Sequence, residues 1–128
     1  MNKPLYVEFD VERRSVRVVY QIQPSFEQWK TTIEAVLEDP RFQSGFGILL
    51  DRSRILKPAT SEYMRRLVDF VDQNALGIKA RWAIVTSDLA SFGMGRQAEL
   101  SACKAYIRTF KDRTAAELWL CGTAGSLS

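Results

Sequence analysis

The amino-acid sequence predicts one α/β domain, a mixed sheet of about five strands in the order β-β-α-β-α-β-α-β-α. Three observations carry that prediction. Apolar residues alternate with polar ones in two runs within the first 22 residues, later stretches place them at helical spacing, and short unbroken apolar runs lie between the helices. Alternation marks strands with one covered face, and unbroken runs mark strands buried on both faces, as in a parallel sheet. The 128 residues leave room for one domain of ordinary size. With 46% apolar and 26% charged residues, the balance is that of a folded chain and not a disordered one.

The elements follow in chain order. Leu5, Val7, Phe9 and Val11 alternate with Tyr6, Glu8, Asp10 and Glu12. Glu12-Arg13-Arg14-Ser15 interrupts the pattern, and Val16, Val18, Tyr20 and Ile22 resume it, giving a hairpin. Gln23-Pro24-Ser25 opens a helix, with Ser25 as N-cap and Gln28 placed for a capping box. Phe26, Trp29, Ile33, Val36 and Leu37 form its apolar stripe, and Asp39-Pro40 ends it. Phe46 to Leu50 reads as a buried strand ending at Asp51. After a basic loop, a second helix begins near Thr60 or Ser61, carries Tyr63, Met64, Leu67, Val68, Val71 and Ala75, and stops at Gly77. Ala80 to Val85 is the next strand, leading into Thr86-Ser87-Asp88. A loop whose glycines supply positive φ precedes a third helix, Gly95 to Lys104. Tyr106 to Phe110 forms the last strand, and Asp112 or Thr114 caps a closing helix through Leu120. The domain is expected to span 1–121, with 122–128 a frayed tail. Strands joined through helices need crossovers, so only the first strand is expected to run antiparallel.

Composition excludes several kinds of chemistry. There is no histidine, which removes the usual general base, the commonest metal ligand and every Ser-His or Cys-His dyad. Cys103 and Cys121 lack metal-ligand spacing and are expected to be reduced, mostly structural, buried thiols. No cofactor or metal is expected. The net charge is +3, and twelve of the 18 basic residues are arginines spread along the chain. A nucleic-acid binder shows a denser stripe and a recognisable module, so that partner is not expected. No apolar run reaches the length of a membrane span, and the first residues lack the apolar core of a signal peptide. A cytoplasmic protein is the expectation.

Asp39-Pro40-Arg41-Phe42 with Gly47-Ile48-Leu49-Leu50-Asp51, Arg81 to Asp88 with Ser91-Phe92-Gly93-Met94-Gly95-Arg96, and Phe110-Lys111-Asp112 with Ala116, Trp119 and Leu120 together span almost the whole chain. On these stretches it resembles the SpoIIAA-like branch of the STAS superfamily (sulfate transporter and anti-sigma-factor antagonist domains). The resemblance implies a bacterial cytoplasmic domain that works by binding. In the best-known members a serine in an Asp-Ser-Ser-Gly-Leu motif is phosphorylated and controls docking to a kinase or anti-sigma factor. Here Asp51 is followed by Arg52-Ser53-Arg54 and a longer loop, so the chain departs from that motif. Other members of the branch look like relatives of CRAL-TRIO lipid-transfer domains.

In an open parallel sheet, sites form beyond the carboxyl ends of the strands, where helix N-termini point. That edge collects Asp51, Arg52, Ser53 and Arg54 after one strand. After the next it collects Thr86, Ser87, Asp88, Ser91 and Phe92, with Gly93, Gly95 and Arg96 entering the third helix. The leading expectation is a non-catalytic domain engaging a protein partner or an anionic ligand there. The bland alternative is that the aspartates cap loops and the arginines are solvated. Ser53, Thr60 and Ser61 are the candidate phosphoacceptors, though Thr60 or Ser61 also serves as an N-cap. The second functional expectation is a small carrier of a lipid or other apolar ligand, its pocket lined by residues such as Trp29 and Phe92. An enzyme acting through Asp51 or Asp88 ranks last, because no base, metal or nucleophile accompanies them. Gly93 to Ala98 fits the letters G-x-G-x-x-A, but Val85 lies eight residues before Gly93, too far for a dinucleotide turn. A homodimer is a reasonable expectation for a small domain.

Overall fold

The computed structural model describes residues 3–121. The tail 122–128 lies outside them. The elements are β1 (Leu5–Asp10), β2 (Ser15–Tyr20), α1 (Phe26–Glu38), β3 (Gly47–Asp51), α2 (Ser61–Gln73), a single 3-10 turn (Gly77–Lys79), β4 (Arg81–Val85), α3 (Leu89–Ser101), β5 (Tyr106–Phe110) and α4 (Arg113–Leu120). The strands lie in the order β1-β2-β3-β4-β5, β1 antiparallel to β2 and every later pair parallel. Sequence and structure agree on an α/β fold with one five-stranded mixed sheet and four helices.

Neighbouring parallel strands joined by crossovers of one hand send their helices to one face. There α1 contributes Trp29, Ile33, Val36 and Leu37, and α2 contributes Met64, Leu67, Val68 and Val71. They pack on Val16, Val18, Tyr20, Ile48, Leu50, Trp82 and Ile84 of the sheet. Trp29 is at the centre, stacked on Phe26 and edge-on to Phe70, with Trp82 beyond. The other face carries Leu49, Ala83 and Val85, and α4 turns back over it with Ala116, Trp119 and Leu120. No helix among the described residues is long and apolar enough to cross a membrane.

Local chemistry sets the helix ends. Ser25 Oγ accepts from the Gln28 N–H at 3.1 Å while Gln28 Oε1 accepts from the Ser25 N–H at 2.9 Å, the expected capping box. Thr60 Oγ1 accepts from the Tyr63 N–H, and Asp112 accepts from Thr114. The second helix ends earlier than expected, at Gln73. Asn74 Oδ1 accepts from the N–H groups of Leu76 and Gly77 and so begins a 3-10 turn, whose Gly77 carbonyl accepts from the Trp82 indole.

Three further expectations are corrected. The third helix starts at Leu89, six residues before Gly95, because Asp88 caps it by accepting from the Ser91 N–H at 3.0 Å. Gly93 and Gly95 are therefore helical, and Gly45 is the one glycine with positive φ among the described residues. Gly95 answers to space instead: a Cβ there would lie 2.6 Å from the Thr109 side chain of β5. Val11 and Ile22 fall outside the strands and are exposed: the hairpin turns at Val11–Arg14, with Arg14 at φ 53°, and β2 already ends at Tyr20. Both cysteines are free but exposed, Cys103 after α3 and Cys121 at the end of α4, so neither is a core thiol.

The glycine contrast yields a prediction. Gly95→Val forces α3 off β5 and should cost about 1–3 kcal/mol by urea denaturation. Gly93→Ala, with open space around it, should gain about 0.5–1 kcal/mol from helix propensity.

Candidate functional site

The carboxyl ends of β2, β3, β4 and β5 share one edge, and the loops that leave them are tied together. Arg52 is the tie. Although predicted to sit in an exposed basic loop, it is only 4% exposed. Its N–H donates to the Val85 carbonyl of β4 at 2.9 Å. Its Nη1 donates to Gln23 Oε1 at 2.8 Å and Nη2 to the Lys57 carbonyl, joining the β2–α1 loop to the start and the middle of the β3–α2 loop. The guanidinium carbon stands 5.1 Å from the Tyr20 ring centre. No carboxylate forms a salt bridge with it among the described residues, so the buried cation rests on carbonyl oxygens and a π face.

Around Arg52 lie buried donors without hydrogen-bond partners: the Tyr20 and Tyr63 hydroxyls and the Trp29 indole N–H. Burial pushes the Tyr20 hydroxyl up to about 12, opposed by the Arg52 charge and the nearby Trp29 indole. Burial likewise raises Tyr63, reinforced by Tyr20. Both phenols therefore stay protonated at physiological pH.

The other sequence-predicted residues have definite places. Asp51 is buried, and its Oδ1 accepts from the Ser53 hydroxyl at 2.6 Å and the Ser53 N–H at 3.1 Å. The Ser53 carbonyl accepts from the Ser87 hydroxyl at 2.8 Å, joining the β3–α2 and β4–α3 loops. Asp88 caps α3; the Ser91 hydroxyl beside it, the Ser91 N–H and the Arg52 charge hold its carboxyl below the ordinary range. Ser91 and Thr86 are buried. Phe92 is half-buried beneath Lys111, whose ammonium is 4.9 Å from the ring centre and brings in the β5–α4 loop. Arg54 is exposed, as is Arg96, which lies 3.9 Å from Glu99. Among the phosphoacceptors, the Ser53 hydroxyl is engaged by a carboxylate, Thr60 is the N-cap of α2, and Ser61 is exposed in its first turn.

The structure thus ties Asp51, Arg52, Ser53 and Ser87 together, sets Asp88 beside them as the cap of α3, and leaves Arg54 and Arg96 on the surface. Sequence reasoning did not single out Tyr20, Gln23 and Tyr63 for this edge, nor Ile22, Leu56 and Leu89. The signal for the first three was their place at the ends of β2 and α2, while Ile22 read as a strand residue and Leu56 and Leu89 as ordinary loop residues. Of the residues expected to line a pocket, Trp29 packs on Phe26, Phe70 and Trp82, and Phe92 lies against the Lys111 ammonium. No protein-family model, curated protein or solved structure matches the chain.

Acid should weaken the fold. Asp88 and Asp72 both titrate below the ordinary carboxylate range; burial opposes the Asp72 charge, but the N–H groups of Cys103, Lys104 and Ala105 outweigh it. Asp39, chelated by Arg41, is held at about 2. A carboxylate whose folded pKa is depressed adds stability above its unfolded pKa, and this is lost as pH falls through the folded value. Melting temperature should therefore be level from pH 7 to about 5 and fall progressively below about 4, the unfolded carboxylate value. Asp88→Asn should flatten part of that fall. Arg52→Ala, which strands Gln23 and the Lys57 carbonyl, should cost about 1–3 kcal/mol at neutral pH by urea denaturation.

Proposed function

We propose that this chain is a non-catalytic binding domain of the SpoIIAA-like STAS kind that works in the cytoplasm and docks a protein partner on the carboxyl edge of its sheet. One observation carries the reading. The loops at that edge and the first turn of α3 hold large apolar side chains out to solvent, Ile22 at 56% exposure, Leu56 at 73% and Leu89 at 76%. Exposed apolar residues scattered singly are ordinary, but here three sit on or directly after loops that Arg52 and Ser87 fasten together.

Exposed Arg54 and Lys57 share those loops and make no ion pair among the described residues, while Arg96 stands one helical segment away. Apolar tips with cations beside them suit a partner that offers an apolar patch rimmed by carboxylates. The tied loops favour docking energetically, since a preorganised surface loses little conformational freedom on association. The buried Arg52 is the brace of this surface, and Arg54 and Arg96 are its charged contacts. The Asp51–Ser53 bond supports a binding role more than a phospho-switch at Ser53, because a phosphate there would meet the Asp51 carboxylate.

The reading is tested by quantitative capture from extracts of the source cell. Proteins retained by the wild-type domain should be lost with Leu56→Asp/Leu89→Asp and weakened about tenfold or more with Arg54→Ala/Arg96→Ala. They should be kept by Leu118→Asp, which alters an exposed residue of α4. The Leu56 and Leu89 changes should leave folding stability within about 0.5 kcal/mol. Capture of the same proteins at the same level by wild type and both edge variants would overturn the assignment.

A further inference from the structure

The two outer edges of the sheet are treated differently. The Thr86 N–H donates to the Phe110 carbonyl, so Tyr106, Arg108 and Phe110 present their backbone groups to β4, and Ile107 and Thr109 present theirs outward. The outward Thr109 N–H is taken by Glu99 Oε2 of α3 at 2.6 Å. A carboxylate on an edge N–H is an effective block to strand addition. At the other edge, the Gln21 N–H donates to the Pro4 carbonyl at 2.8 Å, which turns Pro4, Tyr6, Glu8 and Asp10 toward β2 and leaves Leu5, Val7 and Phe9 facing outward. Their backbone groups have no partner among the described residues. Beside them runs an open cleft of about 570 Å³ between Leu5, Val7 and Phe9 and the Thr31, Thr32 and Ala35 side chains of α1, closed at the hairpin end by Arg41, whose guanidinium stands 3.9 Å from the Phe9 ring centre.

We infer that β1 pairs antiparallel with β1 of a second copy, with the two-fold axis at Val7, and that the two sheets become one. The occupant follows from the strand's own sequence. Outward-facing residues must meet outward-facing residues, so the pairing can move only in steps that keep Leu5, Val7 and Phe9 together. About Val7, Leu5 meets Phe9 of the other copy and Val7 meets Val7, and each such pair exchanges two N–H···O bonds. On the opposite face Glu8 then lies across from Tyr6. Moving the axis one residue toward the hairpin sets Glu8 against Glu8, a like-charge clash, and leaves Leu5 unpaired. Moving it the other way sets Phe9 against Lys3 and drops an apolar pair. Charge and apolar pairing therefore select one register, and in it every outward residue meets an apolar residue and no like charges oppose, so the strand is complementary to a second copy of itself. The inference does not depend on the proposed docking edge, which lies at the strand ends.

The test measures mass and register on the full chain. Sedimentation at micromolar concentration should give twice the 14.6 kDa subunit mass. Val7→Pro removes an outward N–H without touching the β1–β2 ladder and should sediment as a folded monomer. In a Cys103→Ser/Cys121→Ser background, mild oxidation should crosslink Val7→Cys, whose Cα atoms would be about 5.5 Å apart. Leu5→Cys should not crosslink, because its two copies would lie roughly 13 Å apart along the strands. If Val7→Pro fails to fold, the cysteine pair decides. A monomer at 100 μM, a dimer without the Val7→Cys crosslink, or a crosslink through Leu5→Cys would overturn the proposal. So would a monomer whose edge instead takes up an unrelated extended peptide.

Discussion

The parallel strands β3 and β4 must be covered on both faces, and the rest of the molecule is arranged around that requirement. Ile48, Leu50, Trp82 and Ile84 point one way and Leu49, Ala83 and Val85 the other, all nearly without solvent contact. Crossovers of one hand deliver α1, α2 and α3 to the first face. Only the chain beyond β5 remains for the second, and α4 folds back to place Trp119 and Leu120 there. Gly47 lets that helix approach closely, since a Cβ would lie 2.8 Å from Leu120. Gly95 does the same for α3 against β5.

The same geometry makes the carboxyl edge special. Strands that run parallel end together, so four loops meet in one place. Loops carry unpaired backbone groups, and here they are joined through Arg52, Ser53 and Ser87. A buried arginine without a carboxylate is costly to desolvate, so its carbonyl partners and the Tyr20 ring are a condition of the fold. The edge is held in one conformation by interior bonds, which leaves its outermost side chains free to meet a partner.

Much of this was legible in the sequence, for a physical reason. The periods of two and 3.6 reflect which side chains leave water, and caps such as Ser25 with Gln28 act within one turn. The strand and helix order therefore followed from local pattern. The third helix was misplaced because glycines at 93 and 95 weigh against helix locally, while the tight fit against Thr109 that favours one of them is invisible in sequence. The cysteines were misjudged because burial depends on the final position of a loop and a helix end. Asp51, Ser53, Ser87 and Asp88 were expected together at the edge and meet there; Arg52 was expected in the loop but points inward.

The sequence by itself determined the class of the domain, the order of its elements, the caps of α1, α2 and α4, and the chemistry closed to a chain without histidine. These depend on residue type and short spacing. The tertiary structure alone decided that Arg52 turns inward while Leu56 and Leu89 turn out. It also decided that Tyr20, Trp29 and Tyr63 crowd one buried corner, and that one sheet edge is stopped by Glu99 while the other is left open. Each of these is set by contacts between residues roughly ten to forty positions apart. Such contacts arise when the strands align, and no local pattern encodes them.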